Sequence, residues 1–314
     1  MKLSIITINR NNAEGLRKTL ASVAAQTYRN IEHIIIDGAS TDGSVDVIRD
    51  YESANRSSAH PLTIIWLSEP DGGIYAAINK GIEIALGRRK VNDAHISSTL
   101  PFRGGAGGGH SYIQILNSGD ILAALDVTER MTNVLSSFPS GRDGVGSPSI
   151  FYGNMLKDHG NGRIVRDTCG GDMYTPDSFL YFYNGTLNHD CAYIRRDLFE
   201  KYGLYNEQMR ICSDWEWYIR AIALGGEKAV YTDIDVTVFD MNGISESGGK
   251  NAALIKQERR AYLESILPAA VLRDYDRFAF PILQYQRLKK YHLWGLAYFI
   301  ERVLFKLEKW RILR

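Results

Sequence analysis

The sequence is poor in cysteine and carries no excess of charge of either sign, and both absences narrow the class of protein. The three cysteines among its 314 residues, Cys169, Cys191 and Cys212, include no CxxC pair. This odd, scattered set argues against a disulfide scaffold and a zinc knuckle, so we expect a reducing compartment, the cytoplasm. Lysine and arginine total 37 and aspartate and glutamate 36, for a net charge of +1, and we therefore expect no nucleic-acid partner.

Long apolar segments and glycine-rich nucleotide motifs are also missing. The apolar run at residues 293–300 is much shorter than the roughly 20 residues that a membrane-spanning helix needs. The sequence has no GxGxxG motif after its first predicted strand and no GxxxxGK[ST] motif. These absences argue against a membrane span, a dinucleotide-binding site of the dehydrogenase type and a P-loop.

What is present is a repeated strand–helix pattern in the first 120 residues. Apolar runs rich in β-branched residues at 3–8, 31–36 and 62–67 are each followed by apolar residues at helical spacing, and a fourth run covers 112–116. Three successive strand–helix units predict an α/β fold with a doubly wound, mainly parallel sheet and helices on both faces. Residues 87–110, which include a glycine-rich tract, are expected to form a surface loop.

The second half of the chain has a mixed pattern. We expect strands at 149–156, 162–168, 228–231 and 235–239, a helix at 214–224, and helices from residue 249 onward. Near the end, apolar residues repeat at spacings of three and four beside several cations. Residues 285–314 are therefore expected to form an amphipathic helix that either contacts an anionic membrane as a peripheral anchor, or packs on the protein or on a second copy in a homodimer.

Polar residues stand at the ends of the four predicted parallel strands. They are Asn9, Asp37, Asp71 and Asp120. Ligands of open α/β sheets bind at the carboxyl ends of the strands, so these residues predict one crevice. Carboxylates there suit hydrogen bonds to a base and ribose, and they suit a divalent cation under a diphosphate.

Several motifs carry a resemblance to a known family. In chain order they read SIITINRN, IIIDGASTDGS, EPDGGIYAAINKGIEIA, ILNSGD and CSDWEWYIRA. Together they resemble the family 2 glycosyltransferases with the GT-A fold, and similar motifs occur in bacterial enzymes that extend colanic acid and other exopolysaccharides. The resemblance implies a GT-A catalytic domain at 1–245, with a nucleotide-sugar-binding half at 1–120 and an acceptor-binding half at 121–245. A helical extension follows at 246–314.

The resemblance also implies a reaction and residue roles. The reaction is inverting transfer of a sugar from a UDP- or GDP-sugar to a glycan or lipid-linked sugar acceptor in cell-surface polysaccharide synthesis. Asp214 matches the catalytic base. Asp120 matches the carboxylate that binds Mg²⁺ or Mn²⁺, in a cluster where Asn117 and Gly119 replace other carboxylates. The implied substrate-binding residues are Thr7, Asn9, Asp37, Asp71, Gly72, Asn79, Lys80 and His189.

Some of these positions also have simpler explanations. Ser213 and Glu216 have the spacing of a capping box, and we expect Asp42 to cap the helix that follows it. Lys80 also fits a solvated helix charge, and His189 also fits a hydrogen-bonded packing residue.

Two other functions stay open. The first is sugar-nucleotide nucleotidyl transfer, for which a glycine-rich loop with Lys or Arg is missing after the first strand. The second is a noncatalytic nucleotide- or sugar-binding protein with a decayed metal cluster.

Overall fold

A computed structural model describes residues 1–91, 111–138, 148–160, 162–171, 176–240 and 251–309. Most of the expected loop at 87–110 and the expected domain boundary at 245 lie outside the described residues. The chain divides into two compact units, Met1–Arg260 and Ala261–Arg314.

The first unit is built on one mixed sheet. In the described residues its strands are β1 (Lys2–Asn9), β2 (Ile31–Asp37), β3 (Thr63–Ser68), β4 (Ser111–Ile115), β5 (Ile121–Leu122), β6 (Ile150–Asp158), β7 (Ile164–Asp167), β8 (Ala192–Arg195) and β9 (Ala229–Asp240). Their order across the sheet is β3-β2-β1-β4-β8-β6-β9-β5, and β7 pairs with β6.

The first four strands are parallel, as the sequence predicts, and they are neighbours in the order β3-β2-β1-β4. Their register pairs Asn9 with Asp37, and Asp37 with Ser68. The polar ends of β1, β2 and β3 therefore meet at the same edge of the sheet. The second half is joined to this parallel half by β8, which runs antiparallel to both β4 and β6.

Helices cover both faces of the parallel half. They are α1 (Ala13–Ala24), α2 (Ser44–Arg56) and α3 (Ile74–Ala85). Leu16 of α1 and Val47 of α2 share one buried cluster with Ile5. On the opposite face, Gly81 of α3 approaches Ile6 so closely that a Cβ at Gly81 would lie 2.4 Å from the Ile6 Cγ2 atom. This doubly covered sheet confirms the predicted α/β class.

The later helices are α4 (Val127–Ser137), α5 (Phe179–Asn184), α6 (Asp197–Tyr202), α7 (Ser213–Tyr218), α8 (Ala252–Ile266), α9 (Ala269–Lys290) and α10 (Trp294–Lys309). A short 3₁₀ helix covers His189–Cys191, and α7 continues as a π-helical segment over Ile219–Leu224. The two strands expected at 228–231 and 235–239 form one strand, β9, which pairs with β6 on both sides of an irregularity at residues 232–234.

The division between the two compact units falls within a helix. α8 starts in the first unit and crosses the division after Arg260. Each helix in the described part of the chain is too short or too polar to cross a membrane.

Candidate active site

Asp37 ends β2 within a buried group of hydrogen-bond donors. Its carboxylate accepts from Nδ2 of Asn9 (2.8 Å), from Oγ of Ser68 (2.7 Å), and from both the hydroxyl (2.5 Å) and the backbone N–H (3.0 Å) of Ser40. The side chain is fully buried. A nucleotide base that donates to Asp37 has to replace one of these internal donors.

Thr7 and Asn9, on the same strand, differ in their access to a ligand. The Thr7 hydroxyl is buried and lies 2.9 Å from Nε2 of His33, whose Nδ1 contacts the Tyr51 hydroxyl. Burial lowers the pKa of His33 to about 3, so its ring is neutral at neutral pH. Thr7 thus belongs to a core network and not to the surface of the crevice. Asn9 lies at the strand end, where its buried amide oxygen has no hydrogen-bond partner among the described residues.

The turn after β3 brings Asp71 against the end of β2. Oδ1 of Asp71 accepts from the backbone N–H of Gly73 at 3.0 Å. A Cβ at Gly38 would lie 2.5 Å from Oδ2 of Asp71, so a larger residue at position 38 would displace the Asp71 carboxylate. Gly73 has a φ of 136°, which favours glycine, and Gly72 and Gly73 are exposed. The turn therefore presents the Asp71 carboxylate and the solvent-exposed backbone of Gly72 and Gly73 at the edge of the crevice.

Four of the predicted substrate-binding residues line one cavity of about 290 Å³. They are Asp71, Gly72, Asn79 and Lys80. The Lys80 ammonium donates to the Pro70 carbonyl (2.8 Å) and pairs with Glu69 (2.9 Å), so it is not a solvated helix charge. The amide of Asn79 bonds to both the backbone N–H and the carbonyl of Tyr205, which fixes α3 to the segment before α7.

Asp214 projects from the first turn of α7 and has two hydrogen-bonding neighbours. Its Oδ1 accepts from the Tyr75 hydroxyl (2.9 Å), and its Oδ2 lies 3.3 Å from Nδ1 of His189. Burial raises the pKa of Asp214, but the hydrogen bonds from His189 and Tyr75 outweigh burial and leave that pKa below its usual value. The carboxylate is therefore ionised at neutral pH, as a general base has to be.

His189 connects Asp214 to the end of β4. Its Nε2 lies 3.1 Å from Nδ2 of Asn117 and 3.4 Å from Oδ1 of Asp190. Burial lowers the pKa of His189, but the nearby charges of Asp190, Asp214 and Asp120 outweigh it and raise the pKa to about 9. The ring accepts from Asn117 when it is neutral, and it donates to Asp190 when it is protonated.

Asp120 lies in the same part of the molecule as Asp214. In the turn after β4, the backbone N–H of Asp120 donates to the Asn117 carbonyl (3.1 Å). The backbone carbonyl of Asp120 accepts from the Thr19 hydroxyl (2.7 Å). The charge of Asp120 contributes to the raised pKa of His189, the residue that contacts Asp214. The charges of both carboxylates therefore act on one imidazole.

The donor set at the end of β4 suits a hard divalent cation that is also bound by a substrate. No group of three His, Cys, Asp or Glu residues that could hold a metal occurs in the described residues. Asp120 supplies a carboxylate, and the buried amide oxygen of Asn117 lacks a hydrogen-bond partner within the described ranges. Mg²⁺ is commonly bound by one or two carboxylates together with substrate phosphates, so these oxygen donors fit.

The local capping predictions had different outcomes. The capping box at Ser213 and Glu216 is wrong: the Ser213 hydroxyl accepts from the backbone N–H of Asn206 (2.6 Å), and Glu216 pairs with Arg220 (2.7 Å). The prediction for Asp42 is confirmed, because its carboxylate accepts from the backbone N–H of Ser44 at the start of α2 (3.1 Å). The same carboxylate also accepts from the backbone N–H of Ala13, the first residue of α1. Sequence reasoning missed Tyr75, because the residue is 139 positions from Asp214 along the chain.

Comparison with known proteins identifies the family. A profile described as Glycosyl transferase family 2 matches residues 4–91. An uncharacterized glycosyltransferase of Mycobacterium tuberculosis is 33% identical over 223 residues, which cover 70% of this chain and 68% of the relative. The chain belongs to glycosyl transferase family 2. This membership confirms the resemblance, and it makes the chain a glycosyltransferase.

Two solved structures share the fold of this family 2 chain. Staphylococcus aureus TarS 1–349 in complex with UDP-GlcNAc has a TM-score of 0.56 at 15% identity, over 88% of this chain and 73% of that one. Against a longer TarS chain, the match spans 44% of its length. The Pyrobaculum calidifontis mannosyltransferase PcManGT, in complex with GDP-Man and Mn²⁺, has a TM-score of 0.54 at 15% identity, over 94% and 72% of the two chains. The likeness confirms the predicted GT-A fold.

Proposed function

We propose that this glycosyltransferase moves a sugar from a nucleoside-diphosphate sugar to an acceptor hydroxyl, with inversion at the anomeric carbon. The observation that carries the proposal is the ionised Asp214 carboxylate, held by Tyr75 and His189 beside the end of β4. The carboxylate is ionised at neutral pH and is therefore available to take a proton from an attacking hydroxyl, and its two hydrogen bonds fix its position.

In the proposed reaction, Asp214 takes the proton of the acceptor hydroxyl while that oxygen attacks the anomeric carbon. The bond between this carbon and the diphosphate oxygen breaks, and the electron pair leaves with the nucleoside diphosphate. The proton ends on Asp214 and is then released to water. General-base catalysis of this kind typically contributes about 10²- to 10⁴-fold to the rate.

The donor is proposed to bind along the polar strand ends, with its nucleotide near Asn9, Asp37 and the Asp71–Gly72 turn. UDP-GlcNAc and GDP-Man in the two similar structures support a UDP- or GDP-sugar. Asp120 and Asn117 would hold a Mg²⁺ or Mn²⁺ ion, and such an ion neutralises charge on the departing diphosphate when bound. The Mn²⁺ in the PcManGT structure supports this cofactor.

The acceptor is proposed to be a glycan or lipid-linked sugar used in cell-surface polysaccharide synthesis. Support comes from α10, which exposes large apolar side chains such as Leu296 (60%), Phe299 (64%) and Phe305 (66%). The same helix carries the cations Arg302 and Lys306. An exposed apolar face beside cations suits contact with the surface of an anionic membrane, where a lipid-linked acceptor is located.

A donor screen followed by product analysis tests the function. The full chain is incubated with Mn²⁺ and either UDP-GlcNAc or GDP-mannose, together with a panel of sugar and lipid-linked sugar acceptors. We expect release of the nucleoside diphosphate and a new glycosidic bond of inverted configuration by NMR. Release of pyrophosphate from a nucleoside triphosphate and a sugar phosphate would instead support nucleotidyl transfer. Donor binding without any turnover would support the noncatalytic alternative.

A further inference from the structure

Glu258 of α8 binds the turn that leads into the helix of Asp214. One carboxylate oxygen accepts from the backbone N–H of Arg210 (2.6 Å). The other accepts from the N–H groups of Ile211 (3.1 Å) and Cys212 (3.0 Å). A single side chain thus satisfies three consecutive backbone donors that come immediately before α7.

These donors have no local substitute in the described structure. Cys212 is the residue before the first helical position of α7, and its side chain makes no capping hydrogen bond among the described residues. The Ser213 hydroxyl is already bonded to Asn206. The Glu258 carboxylate is therefore the acceptor that holds these three N–H groups together in the described structure.

Other contacts from α8 reach the same segment. The Arg259 guanidinium lies 5.0 Å from the centre of the Trp215 ring, and the Cys212 thiol lies 3.8 Å from the Ile255 carbonyl. Positions 255, 258 and 259 share one helical face because they are three and four residues apart. This face of α8 covers the turn and the first residues of α7.

Tyr75 reaches the same turn from α3. Its hydroxyl lies 2.5 Å from the Ile211 carbonyl oxygen and 2.9 Å from Oδ1 of Asp214. Ile211 is consequently held at its N–H by Glu258 and at its carbonyl by Tyr75. Two side chains from distant parts of the sequence fix the backbone three residues before Asp214.

We infer that Glu258 is a positioning residue for Asp214, and that it acts through the turn at residues 210–212 together with Tyr75. The inference rests on the proposed role of Asp214 as the base. A displacement of about 1 Å at a reacting group can cost up to about 100-fold in rate. Loss of Glu258 therefore lowers the rate of sugar transfer, while Asn9, Asp37 and Asp71, the residues proposed to bind the nucleotide, make no hydrogen bond to Glu258 or to the turn at residues 210–212 within the described residues.

The test compares Glu258→Ala with Glu258→Gln, which keeps one acceptor oxygen, and with Gln257→Ala, an exposed neighbour on the same helix. Steady-state release of nucleoside diphosphate from the donor that the wild type uses gives kcat and KM. We expect Glu258→Ala to lower kcat about 10- to 100-fold with donor KM within twofold of wild type. Glu258→Gln should recover part of that loss, and Gln257→Ala should match wild type.

A second measurement covers the case in which Glu258→Ala does not fold. Tyr75→Phe keeps the ring packed on Tyr205 but removes the hydroxyl that contacts both Ile211 and Asp214, and Tyr205→Phe is its matched control. We expect the kcat losses of Glu258→Gln and Tyr75→Phe to combine to less than the product of the two, because both act on one turn. A Glu258→Ala enzyme that folds and keeps kcat within twofold overturns the inference, as does strict multiplicativity. A wild type without turnover would refute the proposed function instead.

Discussion

Nδ1 of His189 lies 3.3 Å from Oδ2 of Asp214, and each of these two residues also contacts the parallel half of the first unit. His189 comes just before β8 and contacts Asn117 at the end of β4. Asp214 opens α7 and also accepts from Tyr75 of α3. The ion pair is mostly buried, with 20% of the His189 side chain and 15% of the Asp214 side chain exposed, so solvent screens it weakly.

Replacing Asp214 tests its role directly. Asp214→Asn keeps the size of the side chain but cannot accept a proton, so we expect kcat to fall about 10²- to 10⁴-fold. Donor affinity by calorimetry should stay within a few fold, since Asp214 is assigned to the acceptor hydroxyl. Asp46→Asn, an exposed change of the same kind on α2, is the control. More than half of the wild-type kcat in Asp214→Asn would exclude this residue as the base.

The raised pKa of His189 predicts a pH dependence of stability. Because its pKa of about 9 in the folded protein exceeds the ordinary 6.5, the contribution of His189 is fully present below pH 6.5. It is lost as the pH rises through 9, and by linkage it amounts to about 3 kcal/mol. Urea unfolding with EDTA should therefore show stability that declines from pH 6.5 to 9. His189→Gln should remove this decline, and an unchanged slope in the variant would contradict the assignment.

Removal of the Asp120 carboxylate should abolish the dependence of donor binding on Mn²⁺. Mn²⁺ together with UDP-GlcNAc or GDP-mannose should raise the melting temperature of the wild type, because ligand at 100 times its Kd adds about 2.7 kcal/mol of stability. Asp120→Asn should lose the part of this increase that depends on Mn²⁺, while Asp126→Asn, an exposed residue in the next turn, should keep it. Equal Mn²⁺-dependent shifts in both variants would place the cation elsewhere.

Contact of α10 with an anionic surface can be measured by sedimentation with vesicles. The full chain should sediment with vesicles that contain phosphatidylglycerol and remain in solution with phosphatidylcholine alone. Each of Arg302→Gln and Lys306→Gln should weaken binding by about 1 kcal/mol, or roughly fivefold. Replacing the exposed Leu296 and Phe299 with serine should abolish it. A dimer by light scattering that these serine changes disrupt, without vesicle binding, would assign the face to a second copy.

The parallel half of the sheet could be predicted from the sequence because its strands carry long β-branched runs and the turns after β2, β3 and β4 contain glycine. The four-residue β8 was not predicted, since so short a run has no periodicity that distinguishes it from a loop. The candidate site was also only partly predictable from the sequence. Asp120 and Asp214 stand in recognisable motifs, but the partners of Asp214 come from other elements.

Prediction from the local sequence pattern also failed where tertiary contacts determine the hydrogen bonds of a side chain. Ser213 and Glu216 have capping-box spacing, yet their side chains bond to Asn206 and Arg220. The N–H groups before the helix are bound by Glu258, 46 to 48 residues later in the chain. No short-range rule relates residues so far apart.

The path of α8 has a practical consequence for anyone who shortens this protein. Cutting the chain at residue 245, where the family resemblance ends, deletes the acceptor for three amides next to Asp214. Such a fragment would still contain every motif residue and could still recognise a sugar nucleotide. It would nevertheless be a poor catalyst, so the smallest competent enzyme has to extend at least through Arg260.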